Sequence, residues 1–296
     1  MGIIEINKLT KNYGNNKGVF DLSFEINKGE VFGYLGPNGA GKTTTIRHLL
    51  GFLNPDKGST SINGLDCRKN SHIIQKDLGY LPGEITFMDD MTGIEFLKFM
   101  ADMRGLKDFT KAQELIKFFQ LDTQGKIKKM SKGMKQKLGI VCAFMHDPKV
   151  LILDEPTSGL DPLMQNRFVE LILEEKSRNK TILMSSHSFE EVERTCDRVG
   201  IIKEGRLVTV ENIETLRTSQ RKNYIVRFES IEDAEGFSKE KLKIIAVDKR
   251  TVTVSVIGDM SEFINAMSRY KVRSIDTSNQ NLEEIFMQYY GGESNA

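Results

Sequence analysis

Short apolar runs alternate with amphipathic stretches through the first two thirds of the chain. EVFGYLG (30–36), KVLILDE (149–155), KTILMSSH (180–187) and DRVGIIK (197–203) predict strands. Val150 to Leu153 is uninterrupted Val-Leu-Ile-Leu, the pattern of a parallel strand covered on both faces. A helix is expected after Gly41, with Ile46, Leu49 and Leu50 on one face and Gly51 as its stop. A second begins near Ser131, where Met134, Leu138, Val141, Cys142 and Met145 recur at helical spacing. A third runs from Pro162, a favoured first-turn residue, to about Lys176. Strands alternating with helices predict an α/β domain with a mainly parallel sheet. Ahead of them, IIEINKLTKNYG and GVFDLSFEINKGE predict an antiparallel β piece. From Gly83 to Gln120 the pattern turns helical, which predicts a helical subdomain, about 84–146, inserted in the α/β core.

A second unit is expected after IETLRTSQRKN. NYIVRFES reads as strand, IEDAEGF as helix, and KLKIIAVD with TVTVSVIG as a hairpin about Lys249-Arg250. MSEFINAMSRY then reads as helix and KVRSIDTS as strand. The order β-α-β-β-α-β predicts a ferredoxin-like α+β domain over 222–296, beside a first domain over 1–217. A last helix, NLEEIFMQYY, would carry Leu282, Ile285, Phe286 and Tyr289 on one face.

Composition changes the picture only by exclusion. The 296 residues are 39% hydrophobic and 28% charged, ordinary for a globular protein. The stretch GKIKKMSKGMKQK (125–137) is rich in lysine, yet 42 basic residues face 41 acidic ones and net charge is +1. A general nucleic-acid binder would carry a broad basic excess, so no nucleic-acid partner is expected. Cys67, Cys142 and Cys196 are too dispersed for a disulfide framework or a zinc site and suit a reducing compartment. No signal peptide opens the chain and no apolar run approaches the ~20 residues that span a bilayer, so any membrane role is expected to run through a partner.

Candidate chemistry begins with GPNGAGKTT: Gly36, Pro37, Asn38, Gly39, Ala40, Gly41, Lys42, Thr43 and Thr44. It fits G-x-x-x-x-G-K-[ST] between a strand and a helix. Its backbone N–H groups and the helix N-terminus suit phosphates, with Lys42 reaching the β/γ-phosphates and the Thr43 hydroxyl on Mg²⁺. The strand VLILDEP delivers Asp154 to its C-terminal end, where ligands bind in open α/β sheets. Asp154 is the second candidate for Mg²⁺, and Glu155 the candidate general base for an attacking water.

With SKGMKQK, LDEPTSGLD and SSHSFEEVE following in order, residues 1 to about 217 closely resemble the ATP-binding subunits of ABC transporters. That resemblance implies a P-loop NTPase core of ABC type, ATP with Mg²⁺, and ATP hydrolysis. It implies that Ser131, Lys132 and Gly133 form the signature motif, whose usual form is LSGGQ; here Lys132 and Met134 replace Gly and Gln. It implies that Tyr13 stacks on adenine, that Asp161 lies in the loop linking two sites, and that His187 contacts the γ-phosphate. Where the family commonly has Gln after LGYLP, this chain has Gly83, followed by Glu84. The resemblance extends to the branch that includes bacitracin and multidrug exporters, in which the ATPase docks on a separate membrane permease.

One chain holds one P-loop and one signature, which in the family face different ATPs. A head-to-tail homodimer, or pairing with a related subunit, is therefore expected, at the cytoplasmic face of the membrane. The competing reading is an ABC ATPase acting on ribosomes or DNA. Ribosomal members carry two cassettes in one chain, and chromosome members insert long coiled coil where only 131 − 42 = 89 positions separate Lys42 from Ser131 here.

Overall fold

A computed structural model describes residues 2–218, 222–256 and 260–279. The helix expected over NLEEIFMQYY lies outside the described residues. The chain divides into two units, Met1–Glu211 and Asn212–Ala296.

In the first unit, β1 (Ile4–Asn12), β2 (Gly18–Ile26), β4 (Lys57–Ile62) and β5 (Leu65–Asp66) form an antiparallel sheet in the order β2-β1-β4-β5. A second sheet uses β3 (Val31–Leu35), β6 (Leu78–Leu81), β7 (Val150–Asp154), β8 (Thr181–Ser186), β9 (Arg198–Lys203) and β10 (Arg206–Asn212). Its order is β10-β9-β3-β8-β7-β6, and β9 to β6 run parallel. All residues of β3, β7 and β8 are buried, which is why these strands read as apolar runs rather than alternations.

The helices of this unit are α1 (Lys42–Leu49), α2 (Ser71–Ile74), α3 (Gly93–Arg104), α4 (Thr110–Phe118), α5 (Lys132–Phe144), α6 (Pro162–Ser177) and α7 (Phe189–Thr195). Local chemistry sets their ends. Thr92 and Glu95 close a capping box at α3. Ser131 caps α5 and Asp161 caps α6 ahead of Pro162. Between β6 and β7 the chain is helical: α3 and α4 both pack on α5.

The second unit holds α8 (Ile213–Thr218), β11 (Lys222–Phe228), α9 (Ile231–Ser238), β12 (Lys243–Asp248), β13 (Thr251–Val256), α10 (Ser261–Met267) and β14 (Val272–Asn279). Its sheet has the order β12-β13-β11-β14 with antiparallel neighbours, the ferredoxin-like arrangement. Val226, Phe228, Val252 and Val254 pack against Ala234 and Phe237 of α9 and Phe263 of α10. Ile213 and Leu216 of α8 are buried.

Candidate functional site

The sequence-predicted loop joins β3 to α1, and Gly41 caps the helix in the left-handed region, φ +108°. A Cβ there would stand 2.7 Å from Val19 Cγ1, so both conformation and space demand glycine. Pro37, Asn38 and Gly39 are exposed at the tip, Gly36 and Ala40 are buried, and Thr44 is half-buried. Lys42 is only 4% exposed; its Nζ donates to the carbonyls of Gly36 (2.6 Å) and Pro37 (3.2 Å) and lies 3.4 Å from Glu155 Oε1.

Three parallel strands aim their C-terminal ends at this loop. β7 delivers Asp154, buried, whose Oδ2 accepts from the Thr43 hydroxyl at 2.8 Å. β8 delivers Ser185, whose hydroxyl donates to Asp154 Oδ1 and accepts from the Glu155 N–H at 3.0 Å. Glu155 itself has φ +48°, a conformation that costs a non-glycine residue about 1–3 kcal/mol and is held here by that N–H bond. Its carboxylate stands between Lys42 Nζ and the ring of His187, with Nδ1 3.7 Å from Oε2.

Lys42, Thr43, Asp154, Glu155 and His187 are thus brought together. A cavity of about 390 Å³ opens beside them, lined also by Arg47, Gly83, Glu84 and Lys132. A Cβ at Gly83 would stand 3.4 Å from Asp154 Oδ2, so the loop after β6 reaches the carboxylate without a side chain of its own. The oxygens of Thr43 and Asp154 are hard donors that fit Mg²⁺, which takes one or two protein ligands and completes its shell with phosphate and water. Among the described residues no cluster of three or more His, Cys, Asp and Glu could hold a metal by itself.

Tyr13, Ser131, Gly133 and Asp161 lie outside this cluster. Tyr13 is exposed on the turn after β1. Ser131 is exposed at the start of α5, where its hydroxyl accepts from the Met134 N–H. A Cβ at Gly133 would meet the Gly159 carbonyl at 2.8 Å, so the signature packs directly on the loop that follows Glu155. The Lys132 ammonium donates to Ser158 of that loop. Asp161 accepts from the Met164 N–H, which starts α6.

A family model described as ABC transporter matches residues 19–158. The bacitracin transport ATP-binding protein of Bacillus licheniformis is 40% identical, over 74% of this chain and 73% of that protein. The chain belongs to the ATP-binding subunits of ABC transporters. The bacitracin transport ATP-binding protein of Enterococcus faecalis is 31% identical over 98% of this chain and 97% of that protein, the second unit included. A solved ATP-binding subunit of an ABC transporter superposes with a TM-score of 0.66 at 32% identity, covering 73% of this chain and 92% of that one. As a member of the family the chain is an ATPase, with nucleotide bound through its P-loop domain.

Two polar residues of this ABC subunit escaped the sequence reading. Ser185 follows the apolar Ile182-Leu183-Met184 of β8, and that polar step directly before Ser186-His187 was the available signal. Glu191 hides in FEEVERT, which reads as a solvated face. Yet Glu191 is only 7% exposed, and burial pushes its carboxyl from 4.5 up to about 7 against the hydrogen bond from Ser186. Because the folded-state value lies above the unfolded one, the folded chain holds an extra proton between pH 4.5 and 7. Stability then falls as pH rises through that window. Glu191→Gln removes this dependence: its stability should exceed wild type at pH 8, by up to roughly 3 kcal/mol and with a higher melting temperature, and lose that advantage by pH 4.5. Thermal melts across pH measure it; equal differences at both pH values contradict a buried titrating carboxyl.

Proposed function

We propose that the chain is the motor of a transporter whose membrane-spanning permease is a separate chain. The observation that carries the reading is the convergence of Lys42, Thr43, Asp154, Glu155 and His187 at the ends of β3, β7 and β8. In this reading residues 1–217 bind ATP and 222–296 form an accessory domain. Gly36 to Thr44 wrap the phosphates and Lys42 neutralises the β/γ-phosphates. Thr43 and Asp154 would hold Mg²⁺, which would supply positive charge beside the phosphates when bound. Glu155 takes a proton from the water that attacks the γ-phosphorus, and the bond to the leaving ADP oxygen breaks as the new P–O bond forms. His187 contacts the γ-phosphate, and Tyr13 stacks on adenine.

Each chain supplies one P-loop and one signature, so two copies pair head to tail around two ATPs. Ser131, Lys132 and Gly133 then present the N-terminus of α5, an anion site, to the ATP on the partner's P-loop. Asp161 and its loop link the two sites. Gly83 and Glu84 couple the site to the permease through backbone and an exposed carboxylate rather than a glutamine. Support for export of an antibiotic, drug or peptide comes from the bacitracin transport relatives. Among the described residues no helix is long and apolar enough to cross a membrane, in keeping with docking on the cytoplasmic face.

Ser131→Arg places a bulky cation where the phosphate would sit. ATP-dependent dimerisation should vanish and turnover fall by about 10²-fold; normal turnover would return the motif to a solvated face. Purification of the tagged chain from solubilised membranes tests the partner. A membrane permease is the expected companion, and recovery with ribosomes or DNA would reverse the reading.

A further inference from the structure

His187 has a supporting structure of its own. Its side chain is 63% exposed, so packing alone does not set its direction. The backbone turn that carries it does. The Ser188 N–H donates to the Ser186 hydroxyl at 2.9 Å, closing a turn over His187. That hydroxyl in turn donates to Glu191 Oε2 at 2.7 Å, in a fully buried contact. Glu191 sits on α7, whose Val192 packs against β3 at Gly33, so the clasp is anchored to the central sheet.

The other oxygen, Oε1, makes no hydrogen bond of full geometry, and the Thr157 hydroxyl is its one further polar neighbour, although the residue is more than nine-tenths buried. Glu191 lines a cavity of about 480 Å³ bounded by Thr157 and Gly159, by Asn166 of α6, and by His187 and Arg194. A carboxylate this buried, with its one full hydrogen bond to Ser186, is costly to keep. The charged groups around it are Glu155 on the β7 side, His187 on the turn, and Glu190 and Arg194 on α7. Arg194 is engaged with Asn166 and Glu190, which leaves the carboxylate without a direct counter-ion.

We propose that Glu191 is the positioning residue for His187: through Ser186 it locks the Ser186-His187-Ser188 turn so that the imidazole faces Glu155 and the phosphate beside it. Glu191 touches no substrate and acts only through the turn. The inference rests on His187 as the γ-phosphate residue. Its consequences differ from those of general stabilisation, because the entire effect must pass through one side chain.

A double-mutant cycle on the full chain separates the two. Glu191→Ala should lower kcat about tenfold or more while KM for ATP stays within about twofold, as a misaimed group does. Glu191→Gln keeps an acceptor for the Ser186 hydroxyl and should recover most of that kcat. In a His187→Ala background, Glu191→Ala should cost nothing further. Losses that multiply in the double variant, an unchanged kcat for Glu191→Ala, or a Gln variant as slow as Ala would each overturn the proposal. Should Glu191→Ala not fold, Glu191→Asp, which withdraws the carboxylate by one methylene, carries the same cycle. Undiminished turnover in His187→Ala alone would sink the His187 assignment and the positioning role together. A full His187 effect with multiplying losses would sink the positioning role only.

Discussion

Glu155→Gln should stop ATP turnover, by about 10²–10⁴-fold, while leaving ATP bound and two chains held around it. The substitution is isosteric and removes the base and little else. The P-loop, Thr43 and Asp154 keep their geometry, because the Glu155 N–H, and not its carboxylate, bonds Ser185. Lys42 loses its partner at 3.4 Å but retains the carbonyls of Gly36 and Pro37. Removing a negative charge beside the phosphates also relieves repulsion, so the ATP-bound dimer should accumulate and be visible by light scattering. A variant that stays monomeric with ATP, or hydrolyses at the wild-type rate, contradicts Glu155 as the base or the pairing of chains.

Lys42→Ala should act a step earlier. The ammonium is buried and its three contacts are all charge-assisted or ionic. Hydrogen bonds to a charged group are worth about 1.5–3 kcal/mol, so ATP affinity should fall by roughly 10- to 100-fold and hydrolysis at least as much. Titration with a fluorescent ATP analogue measures the first and phosphate release the second. Undiminished hydrolysis would remove the phosphate assignment from the loop.

The elements that bring Lys42, Thr43, Asp154 and Glu155 together were legible because they are local. A strand, six loop residues and a helix place Lys42 and Thr43 within 31–49, and an apolar strand ends on Asp154 with Glu155 next in the chain. The ferredoxin-like order was legible for the same reason, each strand and helix having its own period. Long-range polarity was not. Ser185 acts on Asp154 and on the Glu155 N–H from across a parallel pair, which no local pattern encodes. Glu191 carries the composition of a surface residue and is buried only because α7 lies on β3. β4, KGSTSI, is polar and half exposed; it is a strand because Ser59 to Ile62 pair with Ile4 to Asn7 of β1. β6 is four residues, too short for any period to show.

The central claim is ownership: the phosphate held by Lys42 of one chain is completed by Ser131 of the other. Mixing tests it directly. In a Glu155→Gln background, chains bearing Lys42→Ala and chains bearing Ser131→Arg should each remain monomeric with ATP. Mixed, they rebuild one intact site from Lys42 of the second and Ser131 of the first. ATP-dependent heterodimers holding one ATP each are expected; no association beyond that of the separate chains would overturn the shared site.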